Sequence, residues 1–511
     1  MDQQIAVVFG LFALILVLAV IAVRVSRRFG LPTLLLYLAI GMLLGNAPYG
    51  IDLSDPWLTE HLGLAALVLI LTEGGLTTRW ANVRPALGLG SSLATVAVVV
   101  SIAGAGVSVH FLMGFDWLTS LTWGAVLSST DVAAVFSVLR RVGVKRRLGA
   151  ALELESGLND APVVIAVLLF AGGGEITWTA PLMVIYELFA GAVIGLALGS
   201  AGAWWLRRGA LPANGLYPLA VLAVTVGAYS VAQFAHSSGF LATYLAALVL
   251  GNSTIPQRAS TLSFAEGLGW IAQIGLFVVL GMYVDVSKLP AALVPGLVIG
   301  LMVLVLARPL SVMAASLPFK VPWREQAFLS YSGLRGAVPI VLALVPLTFG
   351  QAHSGELVAV IVVVVIIYTL LQGTTLPAVA RLLGVVDTGA AQEMQIDVSA
   401  LEDMGAHVLQ VTVPDDSRLR GVHLSDLRLP VGTTIALVVR SGLPVPIGPE
   451  VRLEAGDHML IVTPERKRTA TERRLRAVAR GGILADWFAG VHDATARPHP
   501  PGTRARRDLG H

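Results

Sequence analysis

The sequence predicts an all-α polytopic membrane protein with about thirteen transmembrane helices, followed by a small α/β domain rich in β-strands. The 511-residue chain is 55% hydrophobic and only 13% charged, and its mean hydropathy is +0.78, which excludes an ordinary soluble protein. Apolar stretches long enough to cross the ~30 Å hydrocarbon layer recur from residue 4 to residue 383. Residues 388–511 carry 31 of the 67 charged side chains, so we expect a water-exposed region after the membrane body.

The membrane body divides at polar residues, prolines and glycines into thirteen apolar segments. They lie near residues 4–25, 31–46, 61–78, 86–113, 117–139, 151–172, 178–206, 216–236, 239–253, 262–284, 290–315, 325–348 and 355–383. Basic residues follow the apolar part of the first segment, which favours a retained helix over a signal peptide. With the N-terminus outside, sixteen Lys and Arg residues of the loops lie on the inner side and only Lys288 lies outside, as the positive-inside rule expects. We therefore predict a multi-pass protein of the cell inner (plasma) membrane with a cytoplasmic C-terminal domain.

Changes in composition along the chain predict the domain boundaries. Residues 1–386 form the transmembrane domain and residues 387–399 a linker. The β-type runs AHVLQVTV, TTIALVV and DHMLIVT, separated by turn signals, predict a small domain over residues 400–465. Residues 466–511 are predicted to form a basic helix, either solvated or in contact with anionic lipid headgroups, and a disordered tail. Because the chain has no cysteine, disulfides, thiolate metal sites and cysteine nucleophiles are excluded.

Six ionisable residues fall at membrane depth, where an ionised side chain costs at least ~2.5 kcal/mol on insertion scales. An internal ion pair that only holds helices together is one interpretation, but acids outnumber bases by four to two. The excess buried carboxylate needs protons or cations as partners. The six therefore indicate cation handling, and they are Glu73, Asp131, Glu155, Asp160, Arg308 and Arg335.

The densest polar cluster is the string ELESGLND in the sixth segment. At 100° per residue, Glu155, Ser156, Asn159 and Asp160 share one face of a helix. Asp160 lies about nine residues from the start of the segment, or roughly 14 Å deep at 1.5 Å per residue. This places its carboxyl group near the middle of the membrane.

Asp131 reaches the same depth in the string LSSTDVAAVF of the fifth segment. Three consecutive hydroxyl residues before it weaken the helix, so the Thr130 carbonyl becomes available as a ligand. Oxygen atoms from Asp131, Asp160, Ser156 and Thr130 suit an alkali cation. Burial and like charge both favour the protonated carboxyl group, so a proton competes with the cation for one site, and such competition is sufficient for antiport.

Arg308, in the string VLARPLS, and Arg335, in YSGLRGAVPIV, supply the opposing charges. Gly333, Gly336 and Pro339 around Arg335 predict a second interrupted helix. Two interrupted segments, one in each half of the chain, match the arrangement of transporters with inverted repeats and a binding site at the middle of the membrane.

At these motifs the sequence resembles the NhaP and sodium/proton exchanger branch of the monovalent cation:proton antiporters. SSTD, ESGLND, ARPLS and GLRGAVP occur in the order of that family, and the resemblance covers about residues 1–385. It implies thirteen helices in two inverted repeats with discontinuous crossing helices. It also implies a core that moves like an elevator against a dimerising scaffold, and hence a homodimer.

The resemblance implies a role for each motif residue. Cation and proton binding is carried over to Asp131, Asp160, Ser156, the Thr130 carbonyl and, through water, Glu73. Structural or charge-compensating roles are carried over to Asn159, Glu155, Arg308 and Arg335. The pair Asn159 and Asp160 resembles the electroneutral members, which exchange one cation for one proton.

The C-terminal domain resembles the TrkA-C domain, the C-terminal part of regulators of potassium conductance. This implies potassium/proton exchange and a cytosolic small-molecule regulator. We therefore expect a secondary active transporter embedded in lipid, not an enzyme, that needs no cofactor and binds no nucleic acid. A sodium or lithium/proton antiporter is the alternative within this class. A ligand-gated cation channel is the alternative outside it, although no TVGYG-like filter of carbonyls is present in the sequence.

Overall fold

The computed structural model describes residues 2–29, 32–45, 55–130, 143–173, 178–209, 211–386, 398–399, 406–414, 417–448 and 450–482. The chain divides into two compact units, Met1–Asp387 and Thr388–His511. The first unit is helical and carries the apolar segments. The second contains the β-sheet.

The helices of the first unit follow the predicted segments in order. They are α1 (Asp2–Phe29), α2 (Thr33–Gly45), α3 (Pro56–Thr77), α4 (Leu87–Met113), α5 (Trp117–Ser128), α6 (Arg146–Ala171), α7 (Ala180–Arg208), α8 (Leu216–Phe234), α9 (Gly239–Gly251), α10 (Arg258–Tyr283), α11 (Leu289–Met302), α12 (Arg308–Ser316), α13 (Trp323–Tyr331), α14 (Ala337–Thr348) and α15 (Ser354–Leu382). The eleventh segment comprises α11, a π-helical turn Val303–Ala307 and α12, and the twelfth comprises α13 and α14. Among the described residues, eight helical stretches are long and apolar enough to cross a membrane, and four apolar helices are shorter.

Two segments are interrupted where the sequence predicts it. Helix α5 ends at Ser128, and Ser129 is extended with φ −64° and ψ 137°. Residues 332–336 separate α13 from α14 and include Arg335. Pro339 lies in the first turn of α14, where its missing N–H removes no helical hydrogen bond. The interrupted segments are the fifth and the twelfth. Six predicted crossings, an even number, lie between them, so the two run in opposite directions. The predicted fold class is confirmed.

Packing divides the helices into two groups. The scaffold group contains α1–α3 and α7–α10, and the crossing group contains α4–α6 and α11–α15. Within each group, glycines bring backbones together. A Cβ atom on Gly41 of α2 would lie 2.2 Å from the carbonyl oxygen of Val278 of α10, and one on Gly124 of α5 would lie 2.5 Å from that of Ile102 of α4.

The boundary between the two groups, which we call the seam, is packed differently. Gly63 of α3 faces the side chain of Val341 of α14, and Gly157 of α6 faces the ring of Tyr244 of α9. Both glycines meet side chains of the other group rather than its backbone. At these two positions the seam is therefore closed by side chains, which can rearrange.

The second unit is built on an antiparallel sheet in the order β1-β2-β5-β3-β4. The strands are β1 (Val398–Ser399), β2 (Ala406–Thr412), β3 (Thr434–Arg440), β4 (Leu443–Val445) and β5 (His458–Pro464). The three β-type runs of the sequence form β2, β3 and β5. The short edge strand β4 lies inside the string RSGLPVP, for which the sequence pattern predicts only a turn. Ser441 and Gly442 both have positive φ, at 49° and 81°, the conformation of a two-residue hairpin.

Helix α16 (Arg468–Gly481) packs against this sheet. Leu475 and Val478, one turn apart, are fully buried in the same hydrophobic cluster as Leu409 and Ile461 of the sheet. The basic side chains lie on the other face, with Arg473 and Arg480 exposed. The structure thus joins this helix to the sheet, whereas the predicted boundary at residue 465 separates them. The predicted disordered tail lies in residues 483–511, outside the described residues.

An ion pair between half-buried Arg440 and buried Asp457 joins β3 to the residue just before β5. Asp457 is fully buried and accepts from Arg440 Nε at 2.8 Å and Nη2 at 2.9 Å. It also accepts from the backbone N–H of Glu454 at 2.8 Å. Burial alone raises the pKa of Asp457, but the hydrogen bonds and the charge of Arg440 outweigh it and hold the pKa below its ordinary value.

We expect Asp457→Asn to destabilise the second unit by about 2 kcal/mol, because the charge-assisted pair with Arg440 is lost. A depressed folded-state pKa stabilises the unit above the unfolded pKa of about 4, and this contribution is lost as the pH falls through the folded pKa. The difference between wild type and Asp457→Asn should therefore shrink below about pH 4. Hydrogen exchange of residues 406–482 in the full chain measures this difference in stability. Glu454→Gln, at a carboxylate 61% exposed, should change stability by less than ~0.5 kcal/mol; an equal effect of both variants would contradict the assignment.

Candidate functional site

Arg335 joins the two interrupted segments at their crossing. Its Nη1 donates a hydrogen bond to the carbonyl oxygen of Ser129, just past the C-terminal end of α5. Carbonyl groups at a helix C-terminus carry partial negative charge, which a guanidinium compensates. Arg335 is 2% exposed, and its Cζ lies 5.9 Å from the ring centroid of Tyr368 on α15. The family resemblance implies charge compensation by Arg335, and a guanidinium beside these carbonyl groups is the geometry that such a role requires.

Helix α6 presents its polar face to the crossing. Ser156, Asn159 and Asp160 are 3%, 1% and 4% exposed. Asn159 Nδ2 donates to Thr130 Oγ1 at 2.6 Å and lies 3.4 Å from the Thr130 carbonyl oxygen. Ser129 Oγ donates to Asp160 Oδ1 at 3.4 Å. The structure thus brings three predicted residues, Thr130, Asn159 and Asp160, together at one point.

Glu155 and Arg308 form an ion pair behind the crossing. Arg308 Nη2 lies 2.6 Å from Glu155 Oε1, and the side chains are 5% and 1% exposed, respectively. Arg308 follows the π-helical turn, a local widening found often at functional positions. A Cβ atom on Gly333 would lie 2.8 Å from Arg308 Nε, so the glycine in the interrupted twelfth segment leaves room for the guanidinium.

Two predicted binding residues are not part of this described cluster. Asp131 lies outside the described residues. Glu73 lies in the scaffold group, where it lines a small cavity with residues of α8 and α10, among them Pro218 and Thr261. Its Oε2 lies 2.9 Å from the position of a Cβ atom on Gly269 of α10. A direct role for Glu73 beside Asp160 stays a prediction.

Other residues at the site were not predicted from the sequence. Ser129 contacts both Arg335 and Asp160, and the triple hydroxyl string SSTD is the signal that could have identified it. Tyr368 and Thr369 contact Arg335 through the ring and through a 3.3 Å hydrogen bond to its carbonyl oxygen. They lie in a uniformly apolar segment, so periodicity gives no sign of them. Glu153 lies at the seam. It belongs to the string ELESGLND, but the sequence predicts no role for it.

The site offers oxygen atoms in a water-poor surrounding. Asp160 has a carboxylate, Ser129 and Ser156 have hydroxyls and Thr130 has a carbonyl, and all four residues are buried. Asn159 Oδ1 is buried without a hydrogen-bond partner among the described residues, and an unpaired buried oxygen is costly unless a cation or water meets it. The arrangement can therefore exchange a proton or a small hard cation at one carboxylate.

Two protein-family models match the chain. The model described as "Sodium/hydrogen exchanger, transmembrane" matches residues 13–382, and the model described as "TrkA-C domain" matches residues 408–476. The first covers more than half of the chain. Both agree with the resemblances found in the sequence motifs.

Two relatives with curated names are similar over most of the chain. The K(+)/H(+) antiporter NhaP of Alkalimonas amylolytica is 35% identical over 436 residues, which are 83% of this chain and 75% of that protein. The K(+)/H(+) antiporter NhaP2 of Shewanella sp. (strain MR-4) is 35% identical over 472 residues, which are 90% of this chain and 81% of that protein.

The membrane unit has the fold of a solved transporter. The sodium proton antiporter MjNhaP1 from Methanocaldococcus jannaschii superposes with a TM-score of 0.65 at 20% sequence identity, covering 75% of this chain and all of that chain. At this identity the likeness shows the fold alone. Together with the family model over residues 13–382 and the 35% identical relatives, it confirms the resemblance that the motifs predict: the chain belongs to the sodium/hydrogen exchanger family.

Proposed function

We propose that the protein is an electroneutral potassium/proton antiporter, a secondary active transporter that exchanges one cation for one proton. The observation that carries the proposal is the buried carboxylate of Asp160 at the crossing, 4% exposed and in contact with Ser129. A carboxylate in that surrounding is stable only with a proton or a cation beside it. Asp131, which directly follows Thr130 in the sequence, would complete the site, with Ser156 and the Thr130 carbonyl as further ligands.

Competition between the two ions gives the mechanism. A bound cation cancels one negative charge of the site, and the crossing group can then move relative to the scaffold group. With a proton bound instead, the crossing group moves back and returns the site to the first side of the membrane. The empty, charged site is disfavoured during the movement because an unpaired charge would cross the apolar seam. Each cation carried one way therefore requires a proton carried the other way.

Asn159 supports the electroneutral stoichiometry. Its amide group bonds to Thr130 and stabilises the end of the interrupted fifth segment, a position where a second carboxylate would bind a further proton. The opposite charges of Glu155 and Arg308 cancel in their ion pair, so this pair adds no exchangeable charge to the site. Glu73 would serve the site through water from the cavity that it lines.

Potassium as the cation is supported by the C-terminal unit and by the names of the two similar antiporters. A sodium/proton or lithium/proton antiporter is the alternative.

The distribution of basic loop residues supports an inner (plasma) membrane protein with an external N-terminus. We place the TrkA-C unit in the cytoplasm, where it would bind a small-molecule regulator, and we propose a homodimer formed through the scaffold group.

Proteoliposomes with a preset pH gradient test the function. We expect addition of potassium to dissipate the gradient at the same rate with and without a voltage clamp set by an ionophore, because no net charge moves. Asp160→Asn should abolish the response, since the amide cannot bind a proton. Glu356→Gln, at a carboxylate 60% exposed, should keep it. A response to sodium or lithium alone would overturn the assignment of potassium, and a full response of Asp160→Asn would overturn the site.

The ion pair makes a separate prediction about stability. We expect Arg308→Ala to destabilise the membrane unit by about 3–5 kcal/mol, because Glu155 is left buried and unpaired. The double variant Glu155→Gln/Arg308→Met should recover much of the loss, because no charge remains buried. The melting temperature of the detergent-solubilised protein ranks the variants. Arg324→Ala, at an exposed arginine, should resemble wild type; a double variant no more stable than Arg308→Ala would contradict the prediction.

A further inference from the structure

Two matched hydrogen bonds cross the seam at opposite ends of α3. Toward the start of α3, Thr348 Oγ1 of the crossing group lies 2.8 Å from Glu60 Oε2 of the scaffold group. Just after its end, Thr78 Oγ1 of the scaffold group lies 2.7 Å from Glu153 Oε1 of the crossing group. Each pair joins a threonine hydroxyl to a glutamate carboxylate. The polarity is reversed, since the glutamate belongs to the scaffold group in the first pair and to the crossing group in the second.

Each pair joins a buried residue to one that is more accessible to water, because Thr348 is exposed and Glu153 is half-buried. Glu60 is 8% exposed and Thr78 is 3% exposed. Hydrogen bonds to charged groups are stronger than neutral ones, and a buried carboxylate that loses its donor carries a large desolvation cost. Contacts such as Gly63 with Val341 are apolar, whereas these two pairs are directional and can set how firmly each end is closed.

Each hydroxyl has a second acceptor on its own helix. Thr348 Oγ1 lies 2.8 Å from the carbonyl oxygen of Val345, and Thr78 Oγ1 lies 2.8 Å from that of Gly74. A hydroxyl has one proton, so a hydroxyl released from the glutamate donates to its own helix instead. The glutamate then faces the crevice that has opened and is hydrated there. Each end therefore has two satisfied arrangements, as a switching contact requires.

Tyr244 connects the second pair to the site. Its ring packs on Gly157, which follows Glu153 by four residues and precedes Asp160 by three on α6. The hydroxyl of Tyr244 lies near both Thr78 and Glu153. The ring therefore covers the helix face between the inner pair and Asp160.

We propose that Glu60 with Thr348 and Glu153 with Thr78 are positioning residues that set the balance between outward-open and inward-open states. This inference rests on the proposed function, which requires the crossing group to move along the seam. The orientation of the chain places Glu60 and Thr348 toward the outer side and Thr78 and Glu153 toward the inner side. Loss of the first pair favours the outward-open state, and loss of the second favours the inward-open state.

Hydrogen exchange of the full chain in lipid nanodiscs tests this with two isosteric variants. Thr348→Val should raise the exchange rate of peptides that contain Gly63 and Val341, relative to those that contain Gly157 and Tyr244, by about tenfold. Thr78→Val should shift the same ratio by a similar factor in the opposite direction. A general loss of packing would raise both rates together, so the opposite signs separate positioning from mere stability.

Neighbouring threonines supply the controls. Thr59 is buried beside Glu60, and its hydroxyl has no partner among the described residues. Thr77 is exposed beside Thr78, and its hydroxyl bonds to the carbonyl groups of Glu73 and Gly74 on its own helix. Thr59→Val and Thr77→Val should leave the ratio unchanged.

The outcomes distinguish this inference from the function on which it rests. A shift of equal sign in both threonine variants, or no shift in either, would overturn the positioning role even if wild type exchanges potassium for protons. Opposite shifts in a protein that exchanges no cation would support the seam contacts and overturn the proposed function.

Discussion

The contact of Arg335 with the carbonyl oxygen of Ser129 is the interaction on which the membrane unit depends. Interrupting a helix at membrane depth leaves backbone groups without their helical partners, and in lipid this is tolerated only where protein satisfies them. Arg335 belongs to the interrupted twelfth segment and donates a hydrogen bond to the carbonyl oxygen of Ser129 in the interrupted fifth segment. Ser129 is thereby extended, and the side chains of Ser129 and Thr130 contact Asp160 and Asn159 of α6. A continuous fifth helix would turn its carbonyl groups inward and offer the site no backbone ligand.

The same constraint explains why charge is distributed as it is. Arg308 is paired with Glu155 inside the crossing group, so its guanidinium is not available to neutralise Asp160. Exchangeable charge is thereby confined to the carboxylate that a proton or a cation must neutralise. The two helix groups divide the remaining work. Glycine contacts fix the backbones within each group, whereas side chains and two hydroxyl–carboxylate pairs close the seam.

The parts of this arrangement that the sequence predicts are those with a local physical signature. Apolar length predicts the helices, and hydroxyl, glycine and proline clusters predict the two interruptions. The cost of charge in lipid singles out Asp160, Glu155, Arg308 and Arg335. Contacts between distant segments have no such signature, so Ser129 was missed as the partner of Arg335 and Glu60 as the partner of Thr348. Helix α16 was separated from its sheet for a similar reason, because its many arginines obscure the short apolar stripe of Leu475 and Val478.

The central claim is that a cation and a proton compete for one site that contains Asp160. The most direct test is the apparent KM for potassium, measured in proteoliposomes across a series of pH values. Competition predicts that, below the pKa of the site, the apparent KM rises about tenfold for each unit of pH while the maximal rate at saturating potassium is unchanged. A KM that is independent of pH, with a maximal rate that falls as the pH is lowered, would show that the proton acts elsewhere and would contradict the account.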